Sequence, residues 1–151
     1  MSDDLSGPGI VFLEVETWEE DFLKRLCPPA WNARYYTEEA DRIDLVKIAD
    51  AEIVSAFIYS NLDARVLSQL PALRMIATRS TGVDHINMAT CRERNIAVSN
   101  VPTYGTNTVA EHTFALLLSL SRKIYQARER TLHNNFSFHG LQGFDLKEKV
   151  L

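Results

Sequence analysis

The stretch ATRSTGVDHIN, Ala77 to Asn87, joins an apolar run to a helix start through small and polar residues around one glycine. Such a backbone suits close approach by a ligand. Gly82 permits that approach, or a positive φ. Successive N–H groups at Thr81, Gly82 and Val83, just after Ser80, can form an anion-binding nest. The same residues also fit a plain strand-to-helix turn with Asp84 or Asn87 capping the next helix, and on spacing alone the turn is the better-supported reading. Tyr59, Ser60 and Asn61 form a second polar loop with groups able to hydrogen-bond a small polar ligand, and an ordinary loop would look the same. In the third, NVPTYGTNT, Pro102 and Gly105 read as turn chemistry around Tyr104, with Asn107 and Thr108 as helix caps.

The four histidines offer less. His85 lies beside the Gly82 loop, His112 follows Glu111 in an apolar helix, and His133 and His139 sit in a turn-rich stretch. None shows metal-ligand spacing, so no metal is expected. There is no G-x-S-x-G for a nucleophile elbow. GPG at Gly7 to Gly9 precedes a strand instead of following one, so it is not a phosphate loop.

The elements that would hold these loops alternate along the chain. Short apolar runs at Ile10–Val15, ARYY, Glu52–Ile58, LRMIAT and IAVSNV read as strands, several of them β-branched. Between them lie helical patterns. TWEEDFLKRL has Thr17 as a cap candidate and Trp18, Phe22, Leu23 and Leu26 at helical spacing. DLVKIADA is a weak helical stretch, LDARVLSQL ends before Pro71, and NMATCRERN is short. Near-continuous apolar strands alternating with helices imply a parallel sheet covered on both faces. The expected fold is α/β: a flavodoxin-like, doubly wound, five-stranded sheet of order 2-1-3-4-5. In such a sheet ligands bind beyond the carboxyl ends of the strands, where the three polar loops lie.

From Thr108 the pattern changes. Thr108 and Glu111 form a capping-box signature, and one helix of about 37 Å is expected from there to Leu132. Its first half is apolar nearly all round and must be covered by a second domain or a second subunit. A connector punctuated by Gly140 and Gly143 follows, and KVL reads as the opening of another strand.

The 151 residues suit one compact domain. With a net charge of −4 and no long Lys/Arg cluster, a nucleic-acid partner is not expected. Cys27 and Cys91 read as free thiols of a reducing cytosol. MSDDLSGPG reads as a polar lead-in and not a signal peptide. FALLLSL is far shorter than the ~20 residues of a membrane span. A cytoplasmic protein that does not engage membranes is expected.

RSTGVDHIN, then NVPTYGTNTVAEHTFALLLSLSRKI, then NFSFHGLQGFDLKEKVL together resemble the D-isomer-specific 2-hydroxyacid dehydrogenases, and the closing connector is most similar to the fermentative D-lactate dehydrogenases. The resemblance is strong from Arg74 onward and looser upstream. It implies a substrate domain over residues 1–103, a long interdomain and dimerisation helix over 104–133, and over 134–151 a connector and the first strand of an NAD-binding Rossmann domain. The G-x-G-x-x-G fingerprint and the family's catalytic arginine, glutamate and histidine would then lie downstream, so no catalytic residue is assigned here. His112 matches a family position that is not the proton donor.

The resemblance further implies that Ser80, Thr81, Gly82 and Val83 bind the substrate carboxylate through backbone N–H groups. Tyr59, Ser60 and Asn61 would face a small 2-oxo or 2-hydroxy acid, and Asn107 and Val109 would border the nicotinamide of NAD, with NADP not excluded by this stretch. Asn87 stands where the family usually has aspartate, and both cap helices. A homodimer through 108–132 is implied. A non-catalytic flavodoxin-like module is the competing class. A receiver would need an aspartate ending the third strand, where FIYSN stands. A flavin carrier would need a Ser/Thr/Gly loop after the first, where EVETWEE is acidic.

Overall fold

In the computed structural model, which describes residues 7–150, five parallel strands form one sheet of order β2-β1-β3-β4-β5. The strands are β1 (Gly9–Phe12), β2 (Asn32–Tyr35), β3 (Ile53–Ser55), β4 (Met75–Ala77) and β5 (Ala97–Ser99). Register runs from Ile10 opposite Ala33 and Ile53, through Ile53 opposite Met75, to Met75 opposite Ala97. This is the expected fold and strand order. Parallel strands buried on both faces require apolar residues throughout, and Val11, Val54, Ala56 and Ile76 are fully buried, with Leu62, Val66 and Leu67 packed among them.

Helices α1 (Thr17–Leu26), α2 (Ala64–Ser68) and α3 (Met88–Glu93) connect the strands, with a 3-10 turn at Leu45–Ile48. Short acceptor side chains start them. Asp44 takes the N–H of Val46, Asp63 that of Val66 at 2.8 Å, and Asn87 that of Thr90 at 3.0 Å. Asn87, not Asp84, is therefore the cap of α3. Helix α1 begins at Thr17, the expected cap, and its N-cap lies one residue earlier at Glu16, whose N–H donates to Glu19. The apolar positions Trp18, Phe22 and Leu26 of α1 are exposed.

The chain divides into two compact units between Thr103 and Tyr104. The second holds α4 (Thr106–Ser121) and α5 (Ile124–Leu132). The single helix expected over Thr108–Leu132 is thus two helices, parted at Lys123, whose φ of 52° is left-handed. The cause lies in the connector. Phe144 N–H donates to Ser121 C=O, Arg122 pairs with Asp145 at 2.9 Å, and Lys123 Nζ donates to Gly140 C=O. A carbonyl bound to the connector no longer serves the next helical turn. Gly143 makes the approach possible, because a Cβ there would stand 2.0 Å from Ser121 O.

The helix also starts earlier than expected. Gly105 is its N-cap, so Thr108 lies inside the first turn and its capping box does not form. Of α4 only Ser121 is buried, and Phe114, Leu116, Leu118 and Leu120 are exposed. Lys149 and Val150 form no strand, and Leu151, the end of the expected KVL strand, lies outside the described residues, as do the first six residues of the expected polar lead-in.

Candidate functional site

The carboxyl ends of β1, β3, β4 and β5 carry loops that interlock within the first unit. The loop after β4 is built from Thr78 to Asn87. Among the described residues, the N–H groups of Ser80, Thr81, Gly82 and Val83 donate to no protein acceptor. Their carbonyls, by contrast, are all engaged. Ser80 C=O accepts from Val101 N–H at 2.9 Å, Thr81 C=O from Asn100 Nδ2 at 2.7 Å, Gly82 C=O from Ser80 Oγ at 2.7 Å and Val83 C=O from Ile86 N–H at 3.0 Å.

In a trans peptide the N–H points opposite to the C=O, and no peptide here is cis. Tying back the carbonyls of Ser80, Thr81 and Gly82 therefore aims the amides of Thr81, Gly82 and Val83 away from the body of the unit. Thr81 and Gly82 are exposed and Val83 is half-buried against the core. Such a set of oriented amides can receive an anionic group without reorganising.

Gly82 does not adopt a positive φ. A Cβ there would meet only Asp84 Oδ2, at 3.6 Å, an ordinary contact. Neither backbone conformation nor packing inside the unit therefore demands glycine. What a side chain at this position would obstruct is the space outside.

The loop after β3 is organised differently. The carboxylate of Glu14 accepts the N–H groups of Phe57 at 3.1 Å, Tyr59 at 2.9 Å and Ser60 at 2.9 Å. The protein's own carboxylate thus occupies these amides. Ser60 is fully buried, and its Oγ accepts the N–H of Ala40 at 3.0 Å. The polar groups that this loop leaves exposed are the Tyr59 side chain, its ring edge-on to Phe57 at 6.1 Å, and Asn61, beside the exposed Ile58. Ser80 is likewise buried, with its hydroxyl turned to Gly82 C=O. It lends its hydroxyl to shape the loop and leaves its amide free.

Arg79 locks the two loops to β1. Its guanidinium donates to Leu13 C=O at 2.9 Å, Glu14 C=O at 3.0 Å and Ser55 C=O at 3.2 Å, with Glu19 3.8 Å away. Burial pushes its pKa below that of an ordinary arginine, while Glu19 and Glu14 act the other way. Beside it, Thr78 Oγ1 meets Ser80 Oγ at 2.6 Å and His85 Nε2 at 3.1 Å. Burial also lowers the pKa of His85, against the pull of Glu14 and Asp84.

Glu14, Thr78, Arg79, His85 and Asn100 were not singled out as site residues by sequence reasoning, although His85 was noted as a neighbour of Gly82. Glu14 reaches its partners across 43 to 46 positions, which no local pattern reveals. Asn107 and Val109 stand in the first turn of α4, both exposed. Among the described residues no cluster of three His, Cys, Asp or Glu side chains could hold a metal, and no helix is long and apolar enough to cross a membrane.

Comparison with known proteins adds a lineage to this geometry. Residues 10–140 match the family of the D-isomer specific 2-hydroxyacid dehydrogenase, catalytic domain. A 2-hydroxyacid dehydrogenase homolog of Haemophilus influenzae is 38% identical over 104 residues, covering 67% of this chain and 31% of that protein. An aromatic 2-oxoacid reductase of Clostridium sporogenes is 43% identical over 79 residues, covering 52% of this chain and 24% of that protein. Among solved structures, D-lactate dehydrogenase from Aquifex aeolicus, complexed with NAD and lactic acid, aligns with a TM-score of 0.84 at 30% identity, over 91% of this chain and 41% of that one. The chain spans about a third of the length of the first curated relatives it matches. With most of its residues covered by one family pattern and its sheet superposing on that family's structure, the chain belongs to the D-isomer specific 2-hydroxyacid dehydrogenases, in their catalytic domain.

Proposed function

We propose that residues 1–103 are the substrate domain of an NAD-dependent D-2-hydroxyacid dehydrogenase of the D-lactate type, in which the amides of Thr81, Gly82 and Val83 hold the carboxylate of a small 2-oxo acid. One observation carries this reading: consecutive amides lack acceptors among the described residues while every carbonyl between them is tied back. A charged carboxylate is the ligand that such donors hold best. Tyr59 and Asn61 contribute exposed side chains at the rim.

Residues 104–133 are assigned to the interdomain and dimerisation segment, and 134–151 to the connector that enters a Rossmann domain. The exposed Asn107 and Val109 are suited to border a nicotinamide ring, and the exposed apolar residues of α4 to pair with a second copy. No dinucleotide fingerprint lies within the 151 residues, so they border the cofactor without holding it. When bound, the nicotinamide supplies or accepts the hydride. This chain's part is to fix the carboxylate, and with it the reacting carbon, in one place. Residues 1–151 by themselves carry out no turnover in this reading.

Replacing Gly82 by valine in the intact enzyme tests it. A β-branched side chain enters the space in front of the amides, while the unit itself has room for a Cβ. Losing one hydrogen bond to a charged group costs roughly 1.5–3 kcal/mol, about ten- to a hundredfold in affinity. KM for pyruvate should rise by that factor and NADH affinity, read by fluorescence titration, should hold. An unchanged KM, or equal losses in both, would sink the assignment.

A further inference from the structure

The contacts behind Gly82 fix their own direction. Ser80 has one hydroxyl proton, and at 2.7 Å from Gly82 O that proton is spent on the carbonyl. The 2.6 Å contact between Ser80 Oγ and Thr78 Oγ1 then needs the proton of Thr78, because two oxygens that close with no hydrogen between them repel. Thr78 has nothing left to donate to His85. The 3.1 Å contact between His85 Nε2 and Thr78 Oγ1 must therefore be a donation from Nε2–H. The result is a one-way chain: His85 Nε2–H to Thr78, Thr78 to Ser80, Ser80 to Gly82 C=O. Thr78 and Ser80 are both buried, which keeps water from the link between them.

The chain ends on a meaningful atom. Gly82 C=O shares its peptide group with Val83 N–H, one of the amides without an acceptor. Hydrogen bonds in series polarise one another, and drawing electron density toward the carbonyl oxygen of a peptide makes its N–H a stronger donor. We infer that His85 is a positioning residue for the substrate carboxylate, acting through Thr78 and Ser80 to orient and polarise the Gly82–Val83 peptide. The inference rests on the carboxylate-binding reading of the Ser80–Val83 loop and adds the side chains that tune it. His85 touches neither substrate nor cofactor in this scheme.

The experiment uses the intact enzyme and oxamate, an unreactive carboxylate of pyruvate's shape. Thr78→Val keeps shape and removes the relay. Ser80→Ala removes its last donor. His85→Leu removes its source, and His85→Gln restores an N–H near the Nε2 position. Oxamate affinity should fall about three- to tenfold in the first three, with NADH affinity unchanged, and should recover in His85→Gln. Lower thermal stability in all three with oxamate affinity unchanged would overturn the relay, because a purely structural cluster behaves that way. Should the buried variants fail to fold, the half-buried His85 pair decides alone: equal oxamate affinity in His85→Leu and His85→Gln overturns the proposal. Gly82→Val separates the two levels. If it weakens oxamate while the relay variants do not, the relay fails and the carboxylate site stands. If it too leaves oxamate binding intact, the site itself fails and the relay with it.

Discussion

Glu14 Oε1 accepts the amide hydrogen of Ser60 at 2.9 Å, across 46 positions of sequence. The contact fastens the carboxyl end of β1 to the loop after β3. It also settles which amides remain for a ligand, since Phe57, Tyr59 and Ser60 all donate to this one side chain. Glu14 itself sits at a φ of 56°, a conformation that an ordinary residue adopts only when its surroundings impose it. Arg79, bound to the carbonyls of Leu13 and Glu14, is that imposition.

Glu14→Gln should therefore destabilise the first unit. The amide side chain keeps one acceptor oxygen but turns an NH2 group toward backbone donors. Losing one or two charge-assisted bonds costs about 2–4 kcal/mol. For a unit of this size that lowers the melting temperature by on the order of 10 °C or more. Thermal denaturation followed by circular dichroism on the 151-residue chain reads it. A melting temperature within about 2 °C of wild type would mean the latch contributes nothing.

Gly143→Ala should open the junction between α4 and α5. The new Cβ would lie 2.0 Å from Ser121 O, a backbone atom that cannot step aside cheaply. The connector must lift, and Phe144 N–H then loses Ser121 C=O. Overpacking of this kind costs roughly 1–3 kcal/mol. Amide exchange at Phe144 should accelerate strongly while exchange in the β1–β3 strands stays as it was. Unaltered protection at Phe144 would show that the junction is held by something else.

The strands, their order and the loop that carries Gly82 were legible because each is encoded locally. Apolar runs are bounded by turn residues, and Asp63 and Asn87 stand where helices begin. The break at Lys123 was not legible. RKIYQ holds neither glycine nor proline, and the cause lies some twenty positions on, where Gly143 leaves room for Phe144 N–H to take Ser121 C=O. Thr108 and Glu111 imitate a capping box inside a helix that had already started at Gly105. The polar loop at Tyr59–Asn61 was visible as polar, but not that Glu14 takes its amides. Sequence spacing marks where a loop is; which of its donors stay free depends on partners far along the chain.

The pH dependence of folding should carry a signature of His85. Burial lowers its pKa in the folded state below the ordinary histidine value of 6.5. The unfolded chain then binds more protons than the folded one between those two values, so stability rises with pH through that interval. The contribution is present above pH 6.5 and is lost as pH falls toward the folded value. Urea midpoints measured from roughly pH 5 to 7, in wild type and in His85→Gln, isolate it, because His112, His133 and His139 are common to both. The wild type should lose more stability toward acid. Parallel curves would mean that His85 titrates alike in both states.

Asp84 offers the last test, because it stands on the wrong side of the proposed chemistry. Its Oδ2 would be 3.6 Å from a Cβ on Gly82, and its carboxylate has no hydrogen-bond or ion-pair partner among the described residues. A substrate carboxylate arriving at the Thr81–Val83 amides meets this like charge. At separations of roughly 5–8 Å in water the repulsion is about 0.5–0.8 kcal/mol. Asp84→Asn should therefore lower KM for pyruvate in the intact enzyme about two- to fourfold at low ionic strength. The gain should vanish toward 1 M salt, where the screening length falls to about 3 Å. Asn87 already caps α3, so no loss of helix start is expected to mask the effect. A change in KM that ignores salt would point to altered loop geometry instead. A rise in KM at low salt would mean that Asp84 assists the ligand, and that the charge bound at this loop is not negative.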